Sequence, residues 1–350
     1  MVVSLKSLCK RFSSGDRIEA YKIKKFGKYP VFGGNGIRGY TNIYNFDGRC
    51  AVIGRQGANC GNVKYFCGKA FMTEHAVVVE ANEYNDIGYL SYRMSLMDLG
   101  KFQSQSAQPG LSVKTISEIP IEVPNLNIQK KIWKILNNIS EKTNNNNHIN
   151  NNLEELAYMI FLKKFTQKIP NGAIGEIIKE NEKSKIKVSD AKTVKGKYPF
   201  FTSGESILEW NDYLVEGRNL FFNTGGNADV KYYVGKAMYS TDTWCVTTNG
   251  DFSDYLYLYF KSIRGELDRK FFHGSGLKHL QKDLLKQEKI YIPEKEEISQ
   301  FNILVKPMFD TISANKIENK RLDSLKEFIL PLLMNSQINV DDIESWSDKL

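Results

Sequence analysis

The stretch KYPVFGGNGIRGY begins at Lys28, and KYPFFTSGESILEW begins at Lys197, 169 residues later. Gly48 and Arg49 recur as Gly217 and Arg218 at the same displacement, and LKSLC from Leu5 recurs as IGEII from Ile174. After a two-residue deletion NVKYFCGKA from Asn62 returns as DVKYYVGKA from Asp229, and GLSVK from Gly110 returns as GLKHL from Gly276. The VPN ending at Asn125 likewise matches the IPE ending at Glu294. Two such periods nearly exhaust the 350 residues, so the chain is a tandem duplication of one unit. Any function assigned to it must use both copies.

Each copy has two textures. Residues 1–123 and 170–292 are rich in Tyr, Phe, Val and Gly, with short apolar stretches (CAVIG, AVVVE, NLFFN, WCVTT) between Gly and Asn turns, which is a mainly β pattern. Residues 126–168 and 295–334 contain no glycine and have a helical period. With Ile132 at heptad position a, Ile139, Asn146, Leu153 and Ile160 follow at a, and Ile135, Lys142, Ile149, Leu156 and Lys163 stand at d. The second segment keeps that register 169 residues on, with Phe301, Met308, Asn315, Leu322 and Ile329 at a, and Leu304, Thr311, Glu318, Leu325 and Leu332 at d. Such a pattern predicts a coiled-coil pair. Chain order makes it antiparallel, since the first helix leads to the second β-rich domain and the second helix returns from it. Asn146 and Asn315 sit midway along their a series, where buried polar residues fix register at a cost in stability. Asn144–Asn147 and Asn150–Asn152 lower helix propensity by about 0.6 kcal/mol per residue relative to Ala, which leaves a break or bend open there. Pro307 and Pro331 leave kinks open in the second helix.

The expected fold is therefore α+β: two β-rich domains in tandem, separated by two long helices forming an antiparallel coiled coil, with pseudo-twofold symmetry. Its boundaries are 1–124 and 170–293 for the domains, 125–169 and 294–338 for the helices, and 339–350 for an acidic tail.

Composition narrows the function classes. With 41% apolar and 25% charged residues the chain is globular, which excludes disorder and a collagen-like fibre. The longest apolar runs, Tyr255–Phe260 and Phe328–Met334, fall far short of the roughly 18 to 20 residues a bilayer needs. MVVSLKSLCKRF lacks the apolar stretch of a signal peptide, and five cysteines form no CxxC pair. A cytoplasmic protein is expected, with neither a disulfide framework nor a metal site. The net charge of +8 divides unevenly: +6 in residues 1–124, +2 in 170–293, +4 in 129–169 and −4 in 294–350. The helices cancel, and the surplus lies in the β-rich domains, as a polyanion partner would require.

Catalytic signatures fail one by one. GNGIRG gives Gly34, Gly36 and Gly39 a dinucleotide-type spacing, and Phe32, Gly34 and Gly36 spell F-x-G-x-G, but the second copy has Ser203, Glu205 and Leu208 there. No two of the nine prolines are adjacent, so the Asn/Asp-Pro-Pro-aromatic motif of amino-methyltransferases is absent. Asp268 with Gln287, Glu288 and Lys289 comes nearest to a nuclease cluster, yet copy one has no counterpart and solvated charge explains it. The four histidines, His75, His148, His273 and His279, lack metal-ligand spacing, and no Ser or Cys sits in a nucleophile elbow. The chain reads as non-catalytic, with no cofactor of its own.

A rod of 35 to 40 residues spans about 50 to 60 Å, or about 15 base pairs of duplex DNA. Two related domains at such a spacing suit two short, different sequences with a gap between them. The run RLDSLKEFILPLLMNSQINV (Arg321–Val340) resembles the conserved ending of specificity subunits of type I restriction-modification enzymes. NLEELAYMIFLKKF (Asn152–Phe165) resembles their central helix, and QSAQPGLS (Gln105–Ser112) the loop closing their target-recognition domains. Lys326 stands where that family usually has Arg, and Ser336 where it usually has Gly. The resemblance implies a non-catalytic subunit whose two domains each read one half of a bipartite DNA site. It also implies helices that dock two methyltransferase subunits acting on adenine with S-adenosylmethionine, and restriction subunits that use ATP. Two other readings stay open: the specificity chain of a type IIB system, and a coiled-coil adaptor that binds other proteins.

Base readout needs Arg for guanine, Asn or Gln for adenine and acceptors for cytosine amino groups, while phosphates need Lys, Arg and small polar groups. In copy one these criteria select Asn35, Arg38, Arg55, Gln56, Asn59, Lys64, Gln103 and Gln105. In copy two they select Ser203, Glu205, Asn223, Thr224, Asn227, Lys231, His273, Ser275 and Lys278. On the helices, Lys130, Lys131, Lys134, Glu154 and Glu327 are exposed candidates for methyltransferase contacts.

Overall fold

Alternation along two central strands builds each half of the molecule. The structure, a computed structural model, describes residues 2–57, 60–103 and 110–341. The chain divides into two units, Met1–Lys142 with Leu322–Leu350, and Thr143–Arg321.

In the first unit β1 (Cys9–Ser14), β2 (Tyr29–Gly33), β3 (Gly36–Thr41), β4 (Phe46–Gly54), β5 (Val63–Met72) and β6 (Ala76–Ala81) form one sheet, in the order β1-β6-β4-β5-β2-β3. Successive side chains of a strand point to opposite faces. Ala51, Ile53, Val77 and Val79 accordingly join one core with Leu90 and Met94 of α1 (Ile87–Ser95). Cys50, Val52, Ala76 and Val78 join another with Phe32, Phe46 and Met72. Burial on both faces explains why CAVIG and AVVVE are continuously apolar.

The second unit repeats this plan. Its main strands are β7 (Ile178–Glu180), β8 (Tyr198–Phe201), β9 (Ile207–Trp210), β10 (Arg218–Asn223), β11 (Val230–Val234), β12 (Met238–Tyr239) and β13 (Thr243–Thr248). They form sheets β7-β13-β10-β11 and β9-β8-β12. The one parallel pairing of the first sheet, Val31 with Phe71 and Phe32 with Met72, returns as Phe200 with Met238 and Phe201 with Tyr239. The continuous strand β5 becomes β11 and β12, so the second sheet opens where the first stays whole. Gly48 opposes Gly68 across β4 and β5, and the Gly235 amide donates to the Gly217 carbonyl. All four have φ between +89° and +144°, a region glycine adopts without strain. That requirement accounts for the repeated Gly.

The repeated Arg beside it is a brace. In the first unit Arg49 donates to Tyr65 Oη at 2.7 Å and to Asp86, the N-cap of α1, at 3.2 Å. In the second, Arg218 donates to Asp254 at 2.9 Å and to Asp310 at 2.5 Å, and Tyr232 Oη donates to Asp254 at 2.5 Å. Asp254 stands in α3 (Ser253–Ser262).

Two 40-residue helices, α2 (Leu126–Phe165) and α4 (Lys295–Met334), each contribute a part to both units. Neither breaks at the Asn-rich stretch or at Pro307 and Pro331. Within the second unit Asn146 Nδ2 donates to Asn319 Oδ1 at 2.8 Å and to Glu318 Oε2 at 2.6 Å. Asn315 Nδ2 donates to Asn150 Oδ1 at 2.8 Å, and Asn319 Nδ2 to Asn147 Oδ1 at 2.9 Å. Partners that fall in one helix as they rise in the other are antiparallel. The asparagines thus form an amide ladder that offsets their low helix propensity.

The heptad assignment needs correction. The a positions face inward, but their seam companions lie four residues on: Leu136, Asn150 and Ala157 in α2, and Val305, Ile312, Asn319 and Leu333 in α4 are all buried. The assigned d residues Ile149, Leu156, Leu304 and Leu325 are exposed. Adjacent apolar pairs such as Leu156-Ala157 and Leu304-Val305 satisfied either spacing, and Asn150 and Ala157 are too polar or too small to advertise a seam. At the end of α4, Ser336 has φ +55°, the left-handed conformation that favours glycine after a helix.

Asn146 is 2% exposed, and its amide serves two acceptors. Asn146→Leu is expected to lower stability by about 1–3 kcal/mol by withdrawing that donor from buried groups. The general cost of a buried polar residue at heptad position a implies the opposite sign. A thermal melt decides: an unchanged or higher Tm would show that the ladder contributes nothing.

Candidate nucleic-acid interface

In the first unit three segments meet at one edge of the sheet. The turn joining β2 to β3 holds Gly34 and Asn35, the loop after β4 holds Arg55 to Gly57, and the closing loop brings in Gly110 and Leu111. A Cβ on Gly34 would stand 2.6 Å from the Gln56 carbonyl oxygen, and one on Gly57 3.1 Å from Asn35 Oδ1. A Cβ on Gly36 would stand 3.2 Å from Lys64 Nζ. Glycine is therefore what lets these segments touch. Gly34, Asn35, Gly36, Asn62 and Lys64 line a cavity of about 40 Å³ between them. Asn35, Arg38, Gln56, Lys64 and Gln103 are exposed. Arg55 is engaged internally: Nε donates to the Leu111 carbonyl at 2.9 Å and Nη1 to Ser14 Oγ at 3.3 Å, fastening the closing loop. Asn59 and Gln105 lie outside the described residues.

The second unit builds the same edge. An antiparallel bridge joins Gly225 to His279 as one joins Gln56 to Gly110, in each unit tying the loop after the central strand to the closing loop. Its side chains divide between two jobs. Ser203 Oγ donates to the Asp242 carbonyl and accepts from the Thr224 amide at 3.1 Å, while Thr224 Oγ1 donates to the same carbonyl at 2.7 Å. Lys231 Nζ donates to the Thr202 carbonyl at 3.0 Å and to Asn223 Oδ1 at 2.9 Å, and Asn223 Nδ2 donates to the Asn227 carbonyl at 2.9 Å. Burial lowers the Lys231 pKa from the ordinary lysine value. Ser203, Asn223, Thr224 and Lys231 hold the loops together. Glu205, Asn227, His273, Ser275 and Lys278 are exposed, with Lys278 ion-paired to Asp268. Lys64 and Lys231 occupy the same place in the repeat, one exposed and one turned inward.

One segment of this edge carries no motif. Residues 17–28 run beside the first turn: Arg17, Ile18, Glu19 and Ala20 line an open groove of about 750 Å³ with Arg38, Glu74 and His75. That segment exposes Tyr21 and Phe26 among its cations, a clustering of basic and aromatic residues that could have marked it.

The helix candidates also sort by environment. Lys131 pairs with Asp341 at 2.5 Å. Glu154 is half-buried, bonded to Lys261 Nζ and Tyr257 Oη at 2.6 Å each; burial opposes its ionisation, but these partners hold its pKa below the ordinary value. It is a brace and not an exposed contact. The exposed positions that repeat are apolar: Leu156 and Met159 in the second unit, Leu325 and Phe328 in the first.

Comparison with known proteins places this architecture. The family described as type I restriction modification DNA specificity domain matches residues 1–155 and 167–327. The EcoprrI type I restriction enzyme specificity subunit of Escherichia coli is 40% identical over 138 residues, 38% of this chain and 34% of that one. The match thus spans about a third of that relative's length. A Haemophilus influenzae protein, described as a type I restriction enzyme specificity subunit, is 23% identical over 87% of this chain and 88% of its own. The crystal structure of the type I restriction-modification S subunit from M. genitalium shares the fold with a TM-score of 0.71 at 16% identity, covering 95% of both chains. With both halves of the repeat matched, this chain belongs to the family of type I restriction-modification DNA specificity subunits.

Proposed function

We propose that each unit reads one half of a bipartite, asymmetric DNA site through the loop edge described above. One observation carries this reading: a single scaffold is built twice, down to the Gln56–Gly110 and Gly225–His279 bridges, while its exposed side chains differ. Asn35, Arg38, Gln56 and Lys64 offer donors suited to purine edges and phosphates; Glu205, Asn227, His273 and Lys278 add an acceptor suited to a cytosine amino group. A preserved frame with divergent tips is what two different half-sites require.

The chain itself supplies recognition and no reacting group. Two methyltransferase subunits would dock on the helices, and the matching exposed pairs Leu156/Met159 and Leu325/Phe328 support two copies of one partner. Those partners would use S-adenosylmethionine, and restriction subunits ATP, in the cytoplasm.

Sequencing the host's methylated bases, with and without this chain, tests the proposal. A bipartite adenine-methylated motif is expected to vanish on deletion, and an unchanged methylome would overturn the reading. Methyl transfer to DNA by the purified chain alone would overturn the non-catalytic role.

A further inference from the structure

The charge surplus of each unit has an address. Residues 15–28 connect β1 to β2, and residues 181–197 connect β7 to β8, the same place in the repeated topology. The first connector holds Arg17, Lys22, Lys24, Lys25 and Lys28 against Asp16 and Glu19; the second holds Lys183, Lys185, Lys187, Lys192, Lys195 and Lys197 against Glu182 and Asp190. Without them the first β-rich domain falls from +6 to +3, and the second from +2 to −2. Apart from the closing Gly-Lys, the two connectors share little sequence. Positive charge is what the duplication kept.

All these cations are exposed. Among the described residues only Lys22 forms a salt bridge, to Glu19 at 2.7 Å. The connectors are also fixed beside the recognition loops. Lys24 exchanges both backbone hydrogen bonds with Tyr40 of β3 at 2.8 Å, and Arg17 lines the same groove as Arg38. In the second unit the Ile186 carbonyl accepts from the Thr241 amide at 2.9 Å, next to Asp242, whose carbonyl holds Ser203 and Thr224.

We infer that the two connectors are the phosphate-binding surfaces of the molecule, gripping the DNA backbone without regard to sequence while the adjoining loops read bases. This rests on the DNA reading above and divides its labour. A regular polyanion asks only for charge at a suitable spacing, so unlike sequences with the same charge serve it equally. An acidic protein partner would need matched shapes, and the two connectors do not share one sequence pattern.

The test uses the full chain, a fluorescent 40-base-pair duplex of random sequence and anisotropy across a KCl series. One variant carries Lys22, Lys24, Lys25 and Lys28→Gln, a second Lys183, Lys185, Lys187, Lys192 and Lys195→Gln. A third carries the same changes to Arg, and a fourth replaces Lys114, Lys163, Lys179 and Lys295, exposed lysines outside the connectors, with Gln. Each neutralised phosphate contact contributes about 0.9 to the slope of log affinity against log salt. Each connector Gln variant is therefore expected to flatten the slope by about two to four and to weaken binding at least about tenfold near 0.1 M salt. The Arg variant should keep the unaltered slope, and so should the fourth. Connector Gln variants with an unchanged slope would overturn the inference and leave the DNA reading standing. Equal flattening by the fourth variant would overturn the localisation. No duplex binding by the unaltered chain at low salt would overturn the DNA reading and the inference together.

Discussion

Exchanging the first recognition unit for that of a relative with a different target is expected to rewrite one half of the methylated motif completely and leave the other half unchanged. The structure says where to cut. The first unit's core does not end with its last strand: Ile132, Leu136, Ile329 and Leu333 of the long helices are buried in it together with Leu90 and Met94 of α1. Trp133 lies 4.5 Å from the Tyr65 ring and 5.6 Å from the Tyr92 ring, centroid to centroid. Gln129 accepts from the Asp86 amide at 2.8 Å and donates to Asn85 at 2.9 Å. An exchange stopping at residue 124 sets a foreign domain on these helix residues, at about 1.5–3 kcal/mol for each large apolar side chain that loses its place. An exchange carrying 1–142 with 322–341 keeps the packing partners together. Methylome sequencing of both hybrids checks this: the longer exchange should yield a new half-site at full methylation, the shorter one reduced methylation. If both halves or neither half changed, the assignment of one unit to one half-site would be wrong.

The fold was legible because its determinants are local and were copied. Glycines forced by positive φ at 48, 68, 217 and 235, and apolar strands buried on both faces, survive duplication and announce themselves. The helical seam was half legible. Its a series shows plainly, but the companion positions include Asn150, Ala157 and Asn319, while Leu156 and Leu325 look like core and face outward. A single sequence records how apolar a residue is, and not which way the helix turns it.

The candidate site was legible in place and not in role. Gly-flanked turns hold Asn35, Gln56 and Asn227 with their side chains exposed. The same residue types serve inward at Arg55, Asn223 and Lys231, because loops without regular backbone pairing need side chains to satisfy their carbonyls. The connectors escaped notice for the opposite reason: they carry charge and no motif, so only their position beside the loops gives them meaning.

The largest effect on stability is expected from the brace beside the repeated glycine. Asp254 has a side chain only 1% exposed, and burial pushes its carboxyl above the ordinary carboxylate range, countered by Arg218 and the Tyr232 hydroxyl. Arg218→Met removes the cation and leaves a buried carboxylate with Tyr232 Oη as its donor, a change expected to cost about 3–5 kcal/mol at neutral pH. The matching change at Arg49 should cost markedly less, since that side chain is 45% exposed against 18% for Arg218 and water can replace its contact. The pH dependence follows from the sign. With Arg218 gone, the folded-state pKa of Asp254 lies still further above its unfolded value, so the folded form takes up a proton that the unfolded form refuses until lower pH. Protonation then stabilises the folded chain, a contribution fully present below the unfolded pKa of about 3.9 and lost as pH rises through the folded value. The deficit of the Arg218→Met chain should therefore shrink on acidification from neutral pH, and adding Asp254→Asn should recover part of it at pH 7. Denaturant unfolding of the three chains at several pH values measures this. A deficit under about 1 kcal/mol at neutral pH, or one that grows on acidification, would show that Asp254 does not depend on Arg218 for its charge.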